Sequence, residues 1–163
     1  MTTKPIDRPD DNEGIIDFCS RFFHKKQIEF LGSPAPFRAA VSGIGGGKTI
    51  LGCMETIRHA LRFPGSQHIV VAPTYRMLEQ STWKCLKKVL QWWGPELVWT
   101  ENISKKTITF DTILDKQGNP SVILSGNSLD SDKLRGIEIS TFFIDEASLC
   151  KKELFDILIG RIS

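Results

Sequence analysis

No stretch of this 163-residue sequence is apolar for long enough to cross a bilayer, and the N-terminus lacks a signal-peptide pattern. Neither a membrane span nor a secretory leader is expected. Cysteine is scarce, and Cys19, Cys53, Cys85 and Cys150 stand far apart with no C-x-x-C pair among them. That spacing suggests neither a zinc framework nor a disulfide scaffold, and it reads as reduced thiols in a cytosolic protein. Charge of one sign is lacking as well. The net charge is +2, too small to imply nucleic acid by itself. Internal repeats are absent. The remaining balance, 40% hydrophobic and 25% charged, is that of an ordinary globular protein, at a length that fits one domain with a sizeable core.

Residues 1–13 are polar, carry Pro5 and Pro9, and read as a flexible N-terminal arm ahead of a domain over 14–163. An apolar stripe of Ile15, Phe18, Phe22 and Phe23 predicts a helix over 14–30, stopped by Gly32-Ser33-Pro34-Ala35-Pro36. Residues 37–41 read as a short buried strand, and the spacing after residue 49 is helical. Residues 68–72 form a continuous apolar run, the pattern of a central parallel strand. A helix is expected over 75–93, strands over 107–110 and 121–124 around the turn 116–120, a buried strand over 141–144, and a last helix over 149–159. Such alternation points to a three-layer α/β fold with a mainly parallel central sheet.

The chemistry starts at residues 41–50, V-S-G-I-G-G-G-K-T-I. Four glycines in five positions cannot hold a helix or a stable strand; they free the backbone to wrap around a ligand. The loop resembles a Walker A P-loop, whose backbone N–H groups cradle nucleotide phosphates while its lysine neutralises them and its hydroxyl binds Mg²⁺. Ser42, Gly43, Gly45, Gly46, Gly47, Lys48, Thr49 and Ile50 are the phosphate-binding candidates. The pattern G-x-x-x-x-G-K-[ST] asks for glycine where Ser42 stands, and a serine takes that turn only with negative φ.

A partner for this loop stands a hundred residues on. Phe142-Phe143-Ile144-Asp145-Glu146-Ala147 is an apolar strand ending in two carboxylates, which places both at the C-terminal edge of the sheet, where open α/β sheets bind ligands. Asp145 and Thr49 are the candidate Mg²⁺ residues. Glu146 is the candidate base for the water that attacks the γ-phosphate. A tandem Asp-Glu separates a water-activating ATPase of the RecA-like, additional-strand kind from a small-molecule kinase, which needs no hydrolytic base there.

With these segments in order, the sequence resembles the ATPase domain of a bacteriophage terminase large subunit, a DNA-packaging motor. Lys26-Gln27-Ile28-Glu29-Phe30, residues 41–49, Val70-Val71-Ala72-Pro73-Thr74-Tyr75-Arg76-Met77-Leu78, Leu134-Arg135-Gly136 and residues 142–147 carry the resemblance. It implies ATP and Mg²⁺ as cofactors, with Lys48, Glu146 and Arg135 as catalytic residues. Gln27 is implied as the adenine reader; its amide can both donate and accept, and the alternative is an exposed helix residue. Arg135 is implied as a finger supplied to a neighbouring subunit's nucleotide, the alternative being an ion pair with Asp130, Asp132 or Glu138. The family's loop often carries an arginine where Ile44 stands, so dependence on a residue from the next subunit is expected to rise.

The resemblance further implies double-stranded DNA, a portal protein and a small terminase subunit as partners, a ring of identical subunits during packaging, no membrane, and the host cell cytoplasm as location. It leads one to expect another strand and a nuclease domain beyond Ser163. The chain therefore reads as a C-terminally truncated ATPase module with no nuclease activity of its own. Lys84, Lys87, Lys88, Lys105 and Lys106 are either DNA-phosphate contacts or a solvated face, and Tyr75 and Arg76 either touch ligand or cap a helix. Trp83, Trp92, Trp93 and Trp99 read as core or interface anchors. Two alternatives remain open at this stage: a RecA-like helicase or other DNA-remodelling ATPase, and a nucleotide-binding domain without turnover.

Overall fold

The computed structural model describes residues 17, 19–43 and 45–163. The elements are α1 (Lys25–Gly32), α2 (Lys48–Arg62), β1 (Gln67–Ala72), a helical run ending in α3 (Trp83–Gln91), β2 (Trp99–Asn102), β3 (Thr107–Leu114), β4 (Pro120–Asn127), β5 (Thr141–Ile144) and α4 (Lys152–Ile159). Their strands make one sheet in the order β2-β3-β4-β1-β5.

The apolar run of β1 earns it a central position, because its side chains must be covered on both faces. Val70 and Ala72 join a core with α1, α2 and α3, while Ile69 and Val71 join a second core with Leu134, Ile139 and α4. Helices thus lie on both sides of the sheet, as the three-layer reading requires. β1 runs parallel to β4 and to β5, with Val70 opposite Ser125 and Phe143.

The sheet is mixed rather than mainly parallel. β3 is antiparallel to both β2 and β4, and β2 has no counterpart in the sequence reading. Its residues Trp99-Thr100-Glu101-Asn102 alternate between half-buried and exposed, a short edge pattern that is hard to tell from loop.

Residues 37–41 correct a second expectation. They form no strand; Phe37 and Val41 are exposed, Val41 at 95%. Side chains hold the segment instead. Arg38 donates to the carbonyls of Phe30 (2.8 Å) and Leu31 (3.4 Å), stacks its guanidinium over the Phe30 ring, and pairs with Glu55 on α2. Phe37 packs its ring near those of Phe142 and Phe155, at 6.3 and 6.1 Å between centroids. With this segment outside the sheet, β5 is the edge strand among the described residues, and it is half-buried rather than buried.

The helix expected over 14–30 is also divided. Asp17, Cys19 and Ser20 are helical, the chain turns at 21–23, and α1 begins after His24. Phe22 stacks on Trp92 at 4.5 Å, outside any stripe on α1. Ile15, Phe18 and the arm over 1–13 lie outside the described residues.

β1 and β5 are joined by a side-chain relay as well as by backbone. Thr141 Oγ1 lies 2.8 Å from His68 Nδ1, His68 Nε2 lies 2.6 Å from Ser66 Oγ, and Ser66 donates to the Phe63 carbonyl. A neutral imidazole with its proton on Nε2 satisfies every group in that relay. Burial pushes the His68 pKa down from 6.5 to about 3, helped by the charge of His59. The unfolded chain takes up a proton here as pH falls through 6.5, whereas the folded chain resists until about 3, so stability falls across that window. From pH 7 to pH 5 this residue is expected to cost about 2 kcal/mol. Urea unfolding at both pH values checks this: H68Q should flatten the difference, and an undiminished difference in H68Q would contradict the assignment.

Candidate functional site

The glycine loop is shaped by two left-handed residues, Gly45 (φ 78°) and Gly47 (φ 75°), a region that side chains avoid. Gly47 is the N-cap of α2, and no side chain caps that helix. The first-turn N–H groups of a 15-residue helix therefore open onto the loop, the arrangement that suits an anion. Space adds to this at Gly46, where a Cβ would lie 2.1 Å from Ser42 Oγ; at Gly47 it would displace the end of the Gln27 side chain, whose Nε2 would lie 2.6 Å away. Ser42 takes no positive φ, as its identity requires. Lys48 folds across the loop and donates from Nζ to the carbonyls of Ser42 (3.0 Å) and Gly43 (3.2 Å). The side chain of Ile50 packs against the core, which leaves only its backbone to serve a ligand. Ile44 lies outside the described residues.

The two carboxylates part at the end of β5. Asp145 continues the pairing with β1 through its N–H to the Val71 carbonyl (2.8 Å) and is buried, 5% exposed. Glu146 takes a left-handed backbone (φ 49°) and is exposed. A non-glycine residue in that region carries a conformational cost, and the turn sends neighbouring acids in different directions. Thr49 Oγ1 lies 3.0 and 3.2 Å from the two Asp145 oxygens, across 96 residues of sequence. Thr82 Oγ1 donates to Asp145 Oδ2 at 2.7 Å. Thr82 was not foreseen; nothing in its local sequence marks it.

A hydroxyl beside a carboxylate at a helix N-terminus is a hard-oxygen donor set. It fits Mg²⁺, which keeps most of its waters and takes one or two protein oxygens together with phosphate oxygens. The described residues include no group of three or more His, Cys, Asp or Glu side chains suited to a metal.

Beside the loop a groove of about 780 Å³ runs along the open edge of β5, with Ser42, Lys48, Glu55, Phe142, Asp145 and Glu146 in its lining. That volume is in the range of small-molecule sites. Glu55 anchors its wall. Burial pushes the Glu55 carboxyl up, but hydrogen bonds from Arg58 and His59 and the charges of Arg58 and Arg38 outweigh that and hold it at about 2. Gln27 reaches the loop from α1: its Nε2 is 3.5 Å from the Gly46 carbonyl, and its Oε1 accepts from His24 N–H.

Residues 40–157 match the family described as terminase large subunit, T4likevirus-type, N-terminal. The chain belongs to this family. Solved structures share its fold: the Thermus phage P74-26 large terminase ATPase domain is 21% identical with a TM-score of 0.71, over 94% of this chain and 66% of that one. A large terminase from a thermophilic bacteriophage is 20% identical with a TM-score of 0.69, over 86% of this chain and 36% of that one. The same phage enzyme in complex with ADP is 21% identical at a TM-score of 0.69. This chain thus spans little more than a third of that terminase. No curated protein gives a significant match.

In this terminase chain, Arg135 stands apart from the loop. It lies in the 3₁₀ segment Ser128–Gly136, pairs with Asp132 at 2.9 Å, and is exposed. It lines a separate depression of about 250 Å³ with Glu153, Asp156 and Arg161, sharing no residue with the groove. Lys87 and Lys106 are engaged by Glu101 (3.1 Å) and Glu79 (3.0 Å), which favours an internal role for both. Thr74, not Tyr75 or Arg76, caps the following helix through Met77 N–H. Trp83 and Trp93 are buried in the core, and Trp92 and Trp99 pack against it.

The loop geometry makes one substitution decisive. G47A forces a side chain into a left-handed position and into Gln27, and it should weaken nucleotide binding at least tenfold while α2 persists. Titration with a fluorescent ATP analogue, alongside circular dichroism, checks this; wild-type affinity in G47A would contradict the cradle.

Proposed function

We propose that this chain is the ATPase module of a phage DNA-packaging motor, a RecA-like, additional-strand P-loop NTPase that hydrolyses ATP with Mg²⁺. The observation that carries this reading is the 3.0 Å contact between Thr49, at the end of the glycine loop, and Asp145, at the end of β5. Support comes from the solved phage large terminase in complex with ADP and with ATP-γ-S.

The residues divide the work. The first-turn amides of α2 and those of the glycines hold phosphate oxygens, and Lys48 leaves the Ser42 and Gly43 carbonyls to pair with the phosphates. Thr49 and Asp145 would hold the cation, which would supply charge neutralisation for the nucleotide phosphates. Glu146, exposed at the groove, orients the attacking water and takes its proton. Gln27 holds the base of the nucleotide. Arg135, which lines a depression separate from the groove, stabilises transferring charge on the neighbouring subunit's nucleotide, a contribution of about 10³–10⁵ in rate where such fingers operate. In this reading the motor is a ring of identical subunits on a portal, acting with a small terminase subunit on double-stranded DNA in the host cytoplasm.

E146Q should bind ATP within about threefold of wild type and lose at least a hundredfold in turnover, the span expected of a lost general base. Surviving hydrolysis would remove Glu146 from the role. Mixing R135A subunits with E146A subunits of the full-length protein should restore activity that neither has alone. No recovery at any ratio would rule out action between subunits.

A further inference from the structure

The helical run before α3 changes character at Leu78–Thr82, where it is π-helical: Trp83 N–H bonds to the Leu78 carbonyl, five residues back. A π turn takes in one residue more than an α turn, so it rotates the preceding turn relative to α3 by about 100°. Such turns recur at functional sites, and here the last residue of the turn is Thr82.

The hydroxyl of a helical threonine usually bonds to the carbonyl four residues back. Thr56 does this in α2, donating to Gly52 at 2.9 Å. Thr82 does not. It crosses 63 residues of sequence to donate to Asp145 Oδ2 at 2.7 Å, shorter than either Thr49 contact. Both partners are shielded from water, Thr82 at 1% and Asp145 at 5% exposure, so the carboxylate relies on donors from the protein. The Thr82 carbonyl is itself met by Cys53 Sγ of α2 at 3.7 Å, which fixes the π turn against the helix that carries the loop.

The division of donors is specific. Thr49 lies within reach of both carboxylate oxygens, whereas Thr82 bonds only to Oδ2. Were Thr49 to turn toward a cation, the Thr82 bond would still hold the carboxylate. We infer that Thr82 is a positioning residue, which holds Asp145 so that its Oδ1 stays on the Thr49 side for a divalent cation. This rests on the proposed Mg²⁺-nucleotide reading of the same site.

The test uses T82S and T82A, which differ only by the hydroxyl, together with T82V, which keeps the threonine shape without the donor. In each, the Mg²⁺ concentration giving half-maximal tightening of fluorescent ATP-analogue binding is measured, with affinity in EDTA and the thermal midpoint alongside. T82V and T82A should raise the Mg²⁺ midpoint about tenfold, T82S should stay within twofold of wild type, and affinity in EDTA should not change. Equal midpoints in T82S and T82A, or equal losses with and without Mg²⁺, would overturn the positioning role. Failure of Mg²⁺ to alter wild-type binding would instead overturn the proposed function, and this inference with it.

Discussion

Thr49 and Asp145 meet at 3.0 Å across 96 residues of sequence, and the rest of the structure exists to keep them there. One partner begins α2, the other ends β5, so the contact is only as good as the packing of that helix on that strand. Gly52 sets this packing. Phe143 lies so close that a Cβ on Gly52 would fall 2.2 Å from the ring, and glycine's usual cost within a helix is accepted for the close approach. From the other side β1 fixes β5 through parallel backbone pairing and the His68 relay. A buried carboxylate needs donors, and Asp145 has two hydroxyls, one from each side.

Charge does for residues 33–42 what the sheet does not. Glu55 gathers Arg38, Arg58 and His59 around one carboxylate, and Arg38 thereby ties the approach to the glycine loop onto α1 and α2. The result is a loop held by side chains on one wall of a groove whose other wall is the open edge of β5. Lys48 and the loop carbonyls complete it.

Much of this was legible in the sequence because the signals were local. The apolar run of β1, the glycines ahead of α2, and the strand ending in Asp145-Glu146 each mark their place in the fold within ten residues. Where the reading failed, tertiary context decided. Residues 37–41 have strand composition, yet Arg38 found Glu55 and the α1 carbonyls while β5 kept an open edge. β2 was hidden because four half-exposed residues carry little periodicity. Thr82 left no trace, since a threonine in a helical run looks like any other until its hydroxyl is seen to reach Asp145. Gln27 and Arg135 were singled out by resemblance; the structure sets the first against the loop and pairs the second with Asp132, in a depression separate from the groove.

The central claim, that the glycine loop and the β5 carboxylate form one Mg²⁺-nucleotide site, is tested most directly by calorimetric titration with ATP-γ-S. The comparison is wild type against K48A, each with Mg²⁺ and with EDTA. The account predicts saturable one-site binding by wild type with Mg²⁺, at least tenfold weaker binding in EDTA, and none detectable in a folded K48A. Binding that ignores both Lys48 and Mg²⁺, or no binding by folded wild type, would contradict it.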